Sequence, residues 1–179
     1  GSAAIGGANN LTLNGTMTQT ASRTLVVSNS ALTTQAGNIF LSDDNSTTGR
    51  ALTINGTGNI TISGVVANNN AGNTVAAGLT YGGSGTLTLS NTNTYTGNTG
   101  VSSGILSLGA AGAVSAGTLT VSGTGTLSET VANAIGGTTA VVLNGSSAIA
   151  NLSQSNKYNC GTTLISGTTN LGNKSAFGR

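Results

Sequence analysis

Short runs in which apolar residues alternate with small polar ones recur along the whole chain. They include Leu11-Thr12-Leu13, Leu25-Val26-Val27, Leu52-Thr53-Ile54, Ile60-Thr61-Ile62, Leu87-Thr88-Leu89, Leu106-Ser107-Leu108, Leu119-Thr120-Val121 and Val141-Val142-Leu143. Each run places two side chains on one face of a strand and one on the other. No apolar stripe with helical spacing is sustained, because Gly, Thr, Ser and Asn crowd every window. The pattern predicts an all-β chain. Many runs end in Asn14-Gly15, Asn55-Gly56, Ser63-Gly64, Ser122-Gly123 or Asn144-Gly145. Asn and Gly tolerate the positive φ that a tight corner needs.

Asn-Gly between strands is also a hairpin signal, but the spacing argues for coils. One strand series runs Ile39/Leu41, Ile60/Ile62, Leu79/Tyr81, Thr99/Val101, Leu119/Val121, Val141/Leu143 and Thr162/Leu164, at a nearly constant step. A second series runs Leu87/Leu89, Leu106/Leu108, Leu127 alone, then Leu152. Sliding Leu152–Gly172 back along the chain lays it on Leu89–Gly109 without a gap, and that offset equals three steps of the first series. A period of roughly 20 residues with two or three short strands is a solenoid signature. The expected fold is an all-β, right-handed parallel β-helix (β-solenoid) with about 20 residues per coil and roughly eight coils. At the ordinary strand spacing of about 4.8 Å it forms a rod on the order of 40 Å long. Asp43 to Gly49 and Asn68 to Asn73 read as loops leaving the coil, the natural places for surface function. Residues 1–179 read as a single solenoid segment and a piece of a longer chain. Its best repeat unit is 85–109, with a second copy at 148–172.

Composition sharpens this picture. Charged residues are 4% and aromatics 3%, with no Pro, Trp or His, so the interior must be built from Ala, Val, Leu and Ile. Such residues suit a core one layer of side chains thick. The net charge of +2 comes from Arg23, Arg50, Lys157, Lys174 and Arg179 against Asp43, Asp44 and Glu129, with no basic cluster. A nucleic-acid partner is therefore not expected. No long apolar run predicts membrane insertion by this segment. The single cysteine, Cys160, cannot form an intrachain disulfide and reads as a small apolar corner residue.

The stretch from Gly85 to Gly109 resembles the passenger-associated transport repeat, also called the autotransporter-associated β-strand repeat. The residues that carry the resemblance are Gly85, Leu87, Leu89, Asn93, Tyr95, Gly97, Thr99, Val101, Gly104, Leu106, Leu108 and Gly109. They cover about one seventh of the chain. The second copy keeps Asn156, Tyr158, Gly167, Leu171 and Gly172. It departs where Ala148 and Ala150 replace Gly and Leu, where Cys160 replaces Gly, and where Thr168 and Thr169 weaken the last strand. The resemblance implies a right-handed parallel β-helix from a large bacterial surface or secreted protein, in which such repeats help the passenger fold or cross the outer membrane. It carries no catalytic residues with it.

Candidate chemistry is sparse. Asp43 and Asp44 are adjacent; they read as a solvated turn, able at most to bind a cation weakly with Asn45. Glu129 reads as an exposed coil corner. Without His, and with Cys160 lacking a base, no nucleophilic constellation forms. No metal or cofactor is expected. Tyr95 and Tyr158 occupy the same motif position and read as side chains filling a corner, each hydroxyl reaching a backbone group. Asn93 and Asn156 read as turn residues or coil caps. Thr86-Leu87-Thr88 and Thr118-Leu119-Thr120 do not lie one coil apart, so a flat ice-binding array is not expected. The expected role is structural and not enzymatic: an extracellular or cell-surface stalk, spacer or fibre segment that associates with itself laterally or head to tail. Adhesion to glycans through the loops near Asp43 and Asn69 is the alternative, and a polysaccharide-active β-helix enzyme comes third.

Overall fold

The computed structural model describes residues 1–43, 47–71 and 75–178. The alternating runs become strands, and every strand pairing among them is parallel. This removes the hairpin alternative. The first coil holds β1 (Ser2–Ile5), β2 (Leu11–Leu13) and β3 (Met17–Thr18). The second holds β4 (Arg23–Val27), β5 (Thr33–Gln35) and β6 (Ile39–Phe40); the third holds β7 (Ala51–Asn55), β8 (Ile60–Ile62) and β9 (Val66–Ala67). Above these come β10 (Gly78–Tyr81) with β11 (Thr86–Leu89), β12 (Thr99–Val101) with β13 (Ile105–Leu108), and β14 (Thr118–Ser122) with β15 (Thr126–Glu129). In the last two coils β16 (Ala140–Leu152) and β17 (Thr162–Leu171) each run through the first corner as one strand. From the first of these levels to the last the chain makes about seven turns of a β-solenoid, roughly 22 residues apart.

Three sides enclose the core. The first is β1, β4, β7, β10, β12, β14 and the start of β16; the second is β2, β5, β8, β11, β13, β15 and the end of β16. The third is the short sheet β3-β6-β9, continued upward by the single bridge Val114↔Ile135. Apolar residues fill most of the inner columns, as in Ile54, Tyr81, Val101, Val121 and Leu143 on the first side. Leu87, Leu106, Leu127 and Ala150 do the same on the second. Leu87, Leu106 and Leu127 are fully buried, so each contributes roughly 1.5–3 kcal/mol. The self-similarity of the two motif copies is three steps of this column, from Leu87 to Ala150.

The evenly spaced strand series does not keep to one side of the solenoid throughout. From Leu79 onward the first series is one true column: Leu79, Thr99, Leu119, Val141 and Thr162 pair in succession. Below Leu79 it changes sides. Leu79 pairs with Leu52, Ile60 belongs to the second side beneath Leu87, and Ile39 belongs to the third beside Val66. The physical reason is insertion. The connections from β6 to β7 and from β9 to β10 lengthen the turns that contain them, as between the paired residues Leu52 and Leu79. A constant step along the sequence therefore jumps from one face to the next.

The corner glycines serve two purposes. Gly56 and Gly123 adopt positive φ, as expected of a corner. Gly64 and Gly145 do not; there the backbone of the coil below lies so close that a Cβ would collide with the Gly37 carbonyl or the Gly123 amide. Thr168 and Thr169 lie within β17, paired with Ile149 and Ala150. β17 pairs with β16 along both sides of the corner, with register shifts between them. Thr86-Leu87-Thr88 and Thr118-Leu119-Thr120 fall on different sides of the solenoid.

Candidate functional site

The motif residues divide into those that build the columns and those that close the third side. Leu87, Leu89, Val101, Leu106 and Leu108 are buried column residues, and Thr99 is buried in the first-side column. Gly85 and Gly104 lead into β11 and β13, Gly97 into β12, and Gly109 follows β13. Gly167 lies within β17, Gly172 follows it, and Leu171 ends it half exposed.

Asn93 and Asn156 bring coils together. The Asn93 side chain is buried; its Oδ1 accepts from the Val66 amide at 2.8 Å in the coil below. Its Nδ2 donates to the Ala113 carbonyl at 2.9 Å in the coil above. Asn156 repeats the arrangement: Oδ1 accepts from the Ile135 amide at 3.1 Å and Nδ2 donates to the Ala176 carbonyl at 2.9 Å. Where Ala occupies the position, in the coils between, backbone groups bond directly, as from the Val114 amide to the Ala134 carbonyl at 3.1 Å. The two asparagines thus act as clamps across three coils, consistent with their reading as caps.

Tyr95 and Tyr158 fill the corner that follows, both buried. Their hydroxyls do not reach backbone groups as expected. Tyr95 Oη shares a 2.7 Å hydrogen bond with Thr99 Oγ1, and Tyr158 Oη shares a 2.6 Å bond with Thr162 Oγ1. Burial pushes the Tyr95 hydroxyl up to about 12, against the weaker opposing pull of the Thr99 bond. The signal for this pairing is the spacing from Tyr to Thr, identical in both copies. Cys160 is exposed and not a packed corner residue; its Sγ lies 3.6 Å from Asn159 Oδ1.

Glu129 overturns its reading as an exposed corner. It is 4% exposed and pairs in register with Leu108, inside a column that Leu152 continues one coil on. Leu127-Ser128-Glu129 keeps the spacing of Leu106-Ser107-Leu108, with a carboxyl in the second leucine's place, which explains why Leu127 stood alone in the sequence. Oε1 accepts from Asn156 Nδ2 at 2.7 Å and Oε2 from the Gln154 amide at 3.3 Å. Burial pushes the carboxyl up to about 7 despite these two bonds.

At the inserted loops, Asp43 is not simply solvated. Its Oδ2 accepts from an Arg50 guanidinium nitrogen at 2.6 Å, which also donates to the Gln19 carbonyl at 2.8 Å. Asp44, Asn45 and Asn73 lie outside the described residues. Asn68 and Asn69 are buried, and Asn68 Oδ1 accepts from the Ala77 and Thr96 amides, which pins the base of the second loop. Arg50, Thr80, Thr96 and Asn98 line an open groove of about 460 Å³ beside these loops. Among the described residues no group of three or more His, Cys, Asp or Glu forms a metal-binding cluster. No helix among them is long and apolar enough to cross a membrane. Comparisons of the chain with family models, with curated proteins and with solved structures find no match.

Proposed function

We propose that this chain is a structural module, a rigid stalk or spacer displayed outside a bacterial cell, whose coils extend whatever is attached to them. The observation that carries this reading is the use of the motif's polar groups. Asn93, Asn156, Tyr95 and Tyr158 direct their hydrogen bonds inward or to adjacent coils, so the most distinctive residues hold the rod together. The resemblance of residues 85–109 to passenger repeats supports surface display. Self-association, lateral or head to tail, belongs to this proposal. With charged residues at 4%, electrostatic repulsion between copies is small. Electron microscopy of the purified chain tests this. Rods that join end to end as concentration rises are the expected result, and dispersed monomers at high concentration defeat the assembly.

A second reading is adhesion. It is favoured by the groove lined by Arg50, Thr80, Thr96 and Asn98, which offers guanidinium, hydroxyl and amide groups suited to a neutral or acidic glycan. A glycan array supports it if binding is lost on deleting residues 68–73; no binding at all, or binding indifferent to that deletion, removes it.

A further inference from the structure

We propose that the groove on the outer face of the first side holds a neutral, extended glycan chain, for which Gly100 leaves clearance and Thr96 and Asn98 supply oriented hydrogen-bonding groups. This rests on the adhesion reading and names its ligand and its site. The groove crosses β7 and β10 and reaches the start of β12, strands that are each paired on both sides. Outward residues of the first side form a column in which Thr24, Thr53, Thr80, Gly100 and Thr120 pair in succession. Gly100 interrupts the threonines, and the backbone gives no reason for it. Its φ is not positive, β12 pairs on both sides without a register shift, and a Cβ there would meet only the Thr80 side chain, at an ordinary 3.7 Å and beyond. Gly78 and Gly97 nearby differ, since a Cβ on either would strike the Asn98 or the Ala77 carbonyl. Glycine inside a strand costs entropy and packs nothing, so with a bulge and a bend excluded it marks a close approach by another molecule. Gly100 lies beside Thr80 and two residues from Asn98 on the same face, and both of these line the groove.

The polar groups around this notch are held in place by neighbouring coils. Asn98 Oδ1 accepts from the Thr118 amide at 3.0 Å, which fixes the side chain, and its Nδ2 has no acceptor among the described residues. Thr96 Oγ1 accepts from Asn68 Nδ2 at 2.9 Å, while the Thr96 amide donates to Asn68 Oδ1 at 3.0 Å. The buried Asn68 thus sets the position of the Thr96 hydroxyl, which keeps its proton to donate. Groups oriented beforehand lower the cost of binding. The ligand class follows from charge. Arg50 on the groove wall is paired with Asp43 at 2.6 Å, and no other described residue lining the groove is charged. An acidic sugar would have to compete with the Asp43 carboxylate, whereas the hydroxyls of a neutral one match hydroxyl and amide partners. The groove, about 460 Å³, is of ligand size and spans successive coils from Ser22 to Asn98, which suits an extended chain. No described aromatic residue lines it, so sugar rings pack on threonine methyls and glycine backbone.

The test applies the whole chain to a glycan array that carries neutral hexose and N-acetylhexosamine oligosaccharides beside uronate-containing and sialylated ones. Binding to neutral oligosaccharides is expected. Gly100→Thr, which completes the threonine column, and separately Asn98→Ala, should each weaken that binding by about tenfold or more. Gly109→Ala, beyond β13 on the second side, should leave it unchanged. Gly100→Thr should melt no lower than the parent, because threonine suits a strand better than glycine, so its loss of binding is not a loss of fold. A Gly100→Thr chain that melts well below the parent would show that the glycine serves the fold and would overturn the clearance. Undiminished binding in either variant would overturn this site and leave adhesion through the loops standing. Acidic oligosaccharides bound about tenfold more tightly than neutral ones would overturn the ligand class. Binding to no glycan at all would remove the adhesion reading and this site together.

Discussion

At the scale of single residues, the buried polar groups are the most informative. Asn93 satisfies a buried amide of the coil below and a carbonyl of the coil above. Asn93→Ala leaves both without partners, and a loss of about 2–4 kcal/mol in a urea melt is expected. Tyr95→Phe removes one hydroxyl bond and leaves Thr99 Oγ1 unpaired, which should cost about 1 kcal/mol. Glu129 makes stability itself depend on pH. Its folded value, about 7, lies above the unfolded 4.5, so the native state holds a proton through that window. Stability is therefore full below the unfolded value, declines as pH rises toward 7, and levels off above it. The difference across the window should be on the order of 3 kcal/mol, and it should vanish in Glu129→Leu. Asn93 and Tyr95 stood out in the sequence because they recur as Asn156 and Tyr158 at the same motif positions. Glu129 did not, because a charged residue in a repeat of small uncharged ones reads as surface. The clue was its leucine register after Leu127.

At the scale of the element, a coil is specified by where the chain turns as much as by what it buries. Gly104 shows how local this requirement is. It has a φ of 61°, and a Cβ there would strike the carbonyls of Gly83 and Gly85. Gly109, at the far end of the same strand, has ordinary φ, and a Cβ there would make only normal contacts at 3.4 Å and beyond. Gly104→Ala is therefore expected to cost about 1–3 kcal/mol, whereas Gly109→Ala should change stability by less than about 0.5 kcal/mol. Parallel thermal melts of the two variants check both. Strand alternation and the period were legible because the inner residue recurs at a nearly fixed step from Leu79 to Thr162. The sides to which Ile39 and Ile60 belong were not legible, since every inner column is built from the same few apolar residues. Only backbone pairing distinguishes one column from another once loops have altered the step. The Asn-Gly and Ser-Gly corners were located correctly but for a mixed reason, positive φ at Gly56 and close backbone approach at Gly64.

At the scale of the molecule, each coil contacts chiefly its neighbours, so stability is a sum of coil terms and interfaces, and the ends are intrinsically the weakest part. Polar side chains that clamp coils internally, such as Asn93 and Asn156, add to the interface terms. The proposed self-association would add interfaces between chains. This gives a prediction for the assembly that separates it from folding. Ile165 and Leu171 are 62% and 53% exposed on β17, so lysine at both positions removes little packing from the isolated chain. Charge on an open edge opposes strand addition. The variant Ile165→Lys/Leu171→Lys should melt within about 1 kcal/mol of the parent. It should elute as a monomer in size-exclusion chromatography at concentrations where the parent elutes as longer species. If the parent assembles and this variant assembles equally well, growth proceeds through the sides of the rod and not through the β17 edge. The outer columns of the first and second sides would then be the surfaces to substitute, since they face outward along the whole length.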